Sequence, residues 1–179
     1  MNRRRVLTGL VGLALTGGSV WAVEEGLPTG GSGTGSDGPS VQVETIDAQG
    51  SAAGHTQVPV QGTPTLIDLF ATWCAPCKEE MKILSRIHPE YAGDVAFVSV
   101  TNERVGGTLS KDDISKWWRK HDGNWTVGLD PESDLMSTLG ANGLPYMALA
   151  DASGRIQWHH SGPTDAATLR TQLESVVDK

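Results

Sequence analysis

The stretch that most constrains this fold is Thr65 to Ala71, TLIDLFA, a near-continuous apolar run broken by one acid, Asp68. Such a run reads as a central strand buried on both faces of a sheet. Cys74 follows at once. From Lys78 to His88 the apolar residues Met81, Leu84 and Ile87 return at helical spacing. Upstream, VQVETI and TQVPVQ alternate like half-buried strands. Downstream, DVAFVSVT is another buried strand. SKDDISKWWRKH opens on a Ser cap, carries Asp in its first turn and ends basic, as a helix should. NWTVGLD reads as a short strand, and PESDLMSTLG as a short helix with Pro at its start and Gly at its end. PYMALAD and RIQWHH form a hairpin through the turn ASG, and Ala166 to Val177 is a closing amphipathic helix. The order β-β-β-α-β-α-β-α-β-β-α predicts an α/β fold, a mixed sheet with helices on both faces. Trp117 and Trp118 are adjacent, so they point to different sides of their helix, and one of them is expected in the core.

The N-terminus reads differently. Arg3, Arg4 and Arg5 precede a mildly apolar, Gly-rich, uncharged run from Val6 to Val23. This is the layout of an export signal, and Arg3-Arg4-x-Val6-Leu7 fits the twin-arginine pattern. Residues 1–25 are therefore expected to act as an export signal or, if uncut, as a membrane anchor. Residues 26–40 are rich in Gly, Ser and Pro and predict a flexible linker. Residues 41–179 are expected to form the folded domain. The net charge of −7 argues against nucleic acid and against an anionic membrane surface as the main partner.

The chain has two cysteines, Cys74 and Cys77, separated by Ala75 and Pro76. A structural disulfide across so small a loop removes little chain entropy. A structural zinc site needs four ligands, and the adjacent His159 and His160 lack the usual spacing. Haem attachment needs His after the second Cys, where Lys78 stands. A redox dithiol suits the pair better. Cys74 falls where a strand ends and a helix begins, and the helix N-terminus stabilises a thiolate, the species that attacks in disulfide exchange. Cys77, one turn later, can close on the mixed disulfide. Pro76 is tolerated because the first turn needs no N–H donor there.

The stretch FATWCAPCKEE, with GLPYMALADASG and the strand–helix unit NWTVGLDPESDLMSTLG between them, resembles the thioredoxin superfamily, and within it the exported TlpA/ResA-like branch. The resemblance covers about Val41 to Lys179. It implies a thioredoxin fold with an N-terminal strand extension and an inserted strand–helix unit. It implies a thiol–disulfide oxidoreductase in which Cys74 attacks and Cys77 resolves, with no organic cofactor and no metal. Trp73 would line the substrate surface beside Ala75 and Pro76. Leu144–Pro145 would be a cis bond facing the cysteines, and the backbone near Leu144 would pair with an incoming peptide in strand fashion.

For Asp68 the resemblance implies a proton acceptor for Cys77, whereas a plain reading makes it a partly solvated acid near a strand end. Glu80 either tunes the thiols, as in the branch, or is a first-turn acid that complements the helix dipole. Many relatives have Pro five residues after the second Cys. Lys82 stands there in this chain, which predicts a straighter helix. The expected partners are protein thiols and disulfides outside the cytoplasm, with a membrane electron donor if the protein reduces them. Relatives of this branch often reduce apocytochrome cysteines. A monomer is expected. An alternative from another class has the same two thiolates hold Cu(I) for delivery to an oxidase. It needs a third ligand, typically His, and none lies near the pair in sequence.

Overall fold

The computed structural model describes residues 38–177. The expected export signal, and the linker up to residue 37, lie outside the described residues. Eleven elements follow one another in the expected order: β1 (Val41–Thr45), β2 (Gly54–Val58), β3 (Thr65–Phe70), α1 (Ala75–Tyr91), β4 (Ala96–Thr101), α2 (Lys111–Lys120), β5 (Thr126–Leu129), α3 (Asp134–Thr138), β6 (Tyr146–Ala150), β7 (Ile156–Ser161) and α4 (Ala166–Val176).

The strands form one mixed sheet in the order β2-β1-β5-β4-β3-β6-β7. β3 pairs in parallel with β4, and β4 in parallel with β5, while β6 runs antiparallel to β3. Every residue of β3 is buried, as a strand with neighbours on both sides and helices on both faces must be. Its side chains alternate. Leu66 and Phe70 join a core shared with Met81, Leu84 and Ile87 of α1, Ile114 and Trp118 of α2, and Leu169 and Leu173 of α4. Ile67 and Leu69 point the other way, to a smaller core with Leu135 of α3. Asp68 shares the parity of Leu66 and Phe70 and so faces the α1 side.

Three boundaries differ from the sequence reading. β2 begins at Gly54 and ends at Val58, because Pro59 has no N–H to continue the ladder. α1 starts three residues earlier than expected and runs on through Pro89 to Tyr91. α3 is only five residues long, and Pro131 lies in the turn before it rather than at its start. The Asp130 carboxylate makes that start: it accepts the N–H groups of Asp134 and Leu135, each at 2.9 Å. α2 follows expectation, with Ser110 and Asp113 in a reciprocal capping box. Trp118 is the fully buried member of the tryptophan pair, and Trp117 is half-buried, stacked on Phe70 at 5.0 Å between ring centroids.

Candidate active site

β3 ends at Phe70, and a four-residue turn leads into α1. The Cys74 N–H closes that turn on the Ala71 carbonyl at 3.1 Å. Cys74 itself is the N-cap of α1, with an extended backbone, and its Sγ accepts the Cys77 N–H at 3.2 Å. Both cysteines are buried and joined in a disulfide, with Cα atoms 5.3 Å apart. Ala75 and Pro76 are exposed in the first turn between them. Trp73 is 71% exposed, the largest apolar side chain left in solvent among the described residues. Placement of Cys74 at the helix start puts its sulfur among N–H groups that have no partner within the helix.

β6 brings the second part of the site. Tyr146 pairs with Leu69, so the preceding residue, Pro145, stands at the end of β3 from which the cysteine turn departs. Pro145 is buried, and the Leu144–Pro145 bond is cis. Leu144 is half-buried and packs against both cores.

The third part is buried and acidic. Asp68 is 4% exposed, which overturns the reading of a partly solvated acid. It accepts the Ser99 hydroxyl at 2.7 Å, and Ser99 in turn accepts the Trp125 indole N–H at 2.9 Å. Burial pushes the Asp68 carboxyl up to about 6, with the Ser99 hydrogen bond pulling it back down. Glu80 is buried in the second turn of α1, whose first turn holds no acid, so it is not a first-turn dipole partner either. Its Oε1 accepts the Thr164 N–H at 3.2 Å, while Oε2 is buried without a hydrogen-bond partner. Burial first, and then the charge of Asp68, push Glu80 up to about 8; the Thr164 N–H opposes this. The two acids titrate as a pair, and burial together with their mutual repulsion favours keeping a proton between them at neutral pH. Lys82 is exposed on an unbroken α1, with its ammonium on Glu79.

Sequence reasoning missed Ser99, Trp125, Thr164 and Glu103. Ser99 had a signal, a polar residue inside the buried run DVAFVSVT. Glu103, in the loop after β4, had none, yet its carboxylate accepts the Thr72 N–H and hydroxyl at 2.7 and 2.8 Å, within the cysteine turn. Among the described residues no group of three or more His, Cys, Asp and Glu side chains is placed to hold a metal ion.

A disulfide between two cysteines at a helix start, in a sheet of this order, is the arrangement of the thioredoxin-like thiol–disulfide oxidoreductases. The Redoxin family model matches residues 34–176, and the chain belongs to that family. It is similar to the thiol:disulfide interchange protein DsbE of Escherichia coli K12, 29% identical over 145 residues that cover 79% of this chain and 72% of DsbE. The thiol-disulfide oxidoreductase ResA of Geobacillus thermodenitrificans is 22% identical over 122 residues, 68% of each chain. These relatives bear out the TlpA/ResA-like resemblance and make the protein a thiol–disulfide oxidoreductase. Among solved structures, StoA from Bacillus subtilis shares the fold with a TM-score of 0.60 and 20% identity, over 74% of this chain and 95% of StoA.

Proposed function

We propose that the protein is an exported reductase of protein disulfides. The observation that carries this direction is the charge beneath the cysteines. Two acids, Asp68 and Glu80, are buried on the α1 side with the cysteines, and no base is buried among the described residues; the third buried acid, Asp130, caps α3 on the other face. Acids below the pair disfavour a thiolate, and a pair whose thiolate is disfavoured gives up its electrons readily, whereas strong oxidants stabilise their reduced form.

In the forward cycle the Cys74 thiolate attacks one sulfur of a substrate disulfide, and the other substrate sulfur leaves as a thiolate. Cys77 then loses its proton to Asp68 and attacks Cys74 Sγ, which releases the second substrate sulfur. The substrate gains two electrons and, from solvent and Asp68, two protons. The protein is left with the Cys74–Cys77 disulfide. Trp73 and the Leu144–Pro145 backbone offer a surface for a substrate strand. The export-signal layout of residues 1–25 supports an extracytoplasmic site of action, and the names of the relatives support protein thiols as substrates. Disulfides of exported apocytochromes are the substrate class that the TlpA/ResA-like resemblance favours. A membrane dithiol donor would restore the reduced form. No helix among the described residues is long and apolar enough to cross a membrane.

The test is equilibration of the wild-type pair with glutathione buffers, with Cys77→Ala used to trap substrates on Cys74. A reductase should poise near or below about −270 mV, as thioredoxin does, and a value near −120 mV would overturn the direction. If Cys77→Ala traps no protein disulfide at all, the substrate class is wrong.

A further inference from the structure

We propose that Glu103 is a positioning residue of the redox site: its carboxylate clamps the turn that carries Trp73 and Cys74 and opposes the Cys74 thiolate. The proposal rests on the exchange chemistry of the pair and not on the direction of electron flow.

The geometry begins with the sheet. Phe70, the last residue of β3, pairs with Thr101, the last of β4. Two residues further on along each chain stand Thr72 and Glu103. One carboxylate oxygen of Glu103, Oε2, accepts the Thr72 N–H at 2.7 Å and the Thr101 hydroxyl at 3.1 Å, and Oε1 accepts the Thr72 hydroxyl at 2.8 Å. The Thr101 hydroxyl accepts the Glu103 N–H at 3.2 Å, so the acid is braced at its own base. Three donors thus converge on one side chain, and they tie the cysteine turn to the end of the neighbouring strand. Helix α1 holds the far side of the turn through the Cys74 cap, but nothing else in the turn besides the Cys74–Ala71 bond is fixed by a backbone ladder.

A clamp alone would not need a charge. No Lys, Arg or His among the described residues forms an ion pair with Glu103, so its carboxylate, met only by amide and hydroxyl donors, rests against Thr72, two residues before Cys74. A fixed anion there disfavours the thiolate and so favours the disulfide. The two effects can be separated because of how the bonds are shared. In Glu103→Gln the amide oxygen can take the place of Oε2 and keep the Thr72 N–H and Thr101 bonds, while the NH2 donates to the Thr72 hydroxyl. The clamp survives and the charge goes. Glu103→Ala removes both, and Thr72→Val removes the hydroxyl half of the clamp only.

The experiment uses the full chain of each variant. It measures the rate of Cys74 alkylation against pH, the equilibrium with glutathione, the rate of exchange with a model peptide disulfide, and the thermal midpoint. For Glu103→Gln we expect the pH midpoint of alkylation to fall by about half to one unit and the equilibrium to move roughly three- to tenfold towards the dithiol, with the thermal midpoint unchanged. For Thr72→Val and Glu103→Ala we expect exchange to slow, by about tenfold in Glu103→Ala, and Glu103→Gln to keep the wild-type rate at matched thiolate fraction. If Glu103→Ala does not fold, Glu103→Gln decides the charge and Thr72→Val the clamp. Values within twofold of wild type for Glu103→Gln and Thr72→Val in both equilibrium and rate would overturn the proposal. Should the wild-type pair prove oxidising while Glu103→Gln still shifts it towards the dithiol, the reductase reading fails and the role of Glu103 stands.

Discussion

Glu80 is a carboxyl that folding keeps from ionising. Its Oε2 has no hydrogen-bond partner and its Oε1 has one backbone N–H, too little to hold a buried carboxylate, so the neutral acid is the form the interior accepts. Its folded-state value of about 8 lies above the ordinary 4.5, so the folded protein binds a proton that the unfolded chain gives up between those two values. Stability is then full below about 4.5 and declines as pH rises towards 8. Asp68, raised from 3.8 to about 6, has the same sign but is finished by pH 6. Between pH 6 and 8 the falling slope belongs to Glu80, set against a rise near pH 6.5 from His88 and His121, whose imidazoles burial holds below the ordinary value. We expect Glu80 to remove on the order of 2 kcal/mol of unfolding free energy across that window, and Glu80→Gln to lose this fall and keep only the shallow histidine rise. Guanidinium unfolding at pH 6, 7 and 8 reads this directly. An equal slope in both proteins would show that Glu80 ionises freely in the folded state.

At the scale of elements, the pairing of β3 with β4 organises the site. Their register runs at a constant offset of 31 residues, Thr65 with Ala96 through Phe70 with Thr101. Asp68 meets Ser99 and Thr72 meets Glu103 at that same offset. Trp125, in the residue before β5, adds a third layer. An indole N–H can only donate, so the Ser99 oxygen must accept from Trp125, and the Ser99 proton is left pointing at Asp68. That orientation favours the charged carboxylate, the form able to take a proton from Cys77. Ser99→Ala should raise the pH midpoint of the Cys77 resolving step by about one unit, and Trp125→Phe by less, since the hydroxyl then turns freely. Stopped-flow release from a Cys74 mixed disulfide across pH 5–8 measures it, and an unmoved midpoint in Ser99→Ala would remove Asp68 from the proton path. Sequence alone could not reach these contacts. The cysteine motif, the helix caps and the apolar runs are local, and they made the element order, the cysteine pair and the lone acid Asp68 legible. Ser99 and Glu103 act across a strand register that no local pattern specifies. The ends of β2 and α3 were misplaced for a related reason. Pro59 ends a strand only once its partner's ladder is known, and the cap of α3 comes from Asp130, in the strand-to-helix turn.

The molecule as a whole leans on an aromatic layer between α2, β5 and the end of β3. Trp118 is fully buried, lies 5.9 Å from Phe70 and 4.9 Å from Trp125 between ring centroids, and donates its indole N–H to the Gln49 carbonyl at 3.0 Å. It thereby joins the last residue of the central strand, the residue before β5 and the β1–β2 connection. Gly123 makes room for it. A Cβ built on Gly123 would stand 2.2 Å from the Trp118 ring, on a side chain with no free space to retreat into. Gly123→Ala should therefore cost about 2–3 kcal/mol through overpacking, and the strain should fall on the packing of α2 against the sheet. The redox pair meets this layer at Phe70 and, through Ser99 and Asp68, at Trp125, while Thr72 is held by Glu103 and Trp118 itself bonds neither acid. So Gly123→Ala should lower the denaturation midpoint while the glutathione equilibrium stays within about twofold of wild type, the reverse of the pattern expected for Glu103→Gln. Parallel unfolding and redox titrations of the two variants separate the cases. A shift of the Gly123→Ala redox equilibrium in proportion to its lost stability would mean that the aromatic layer, and not the acids and the turn clamp, sets the poise of the cysteines.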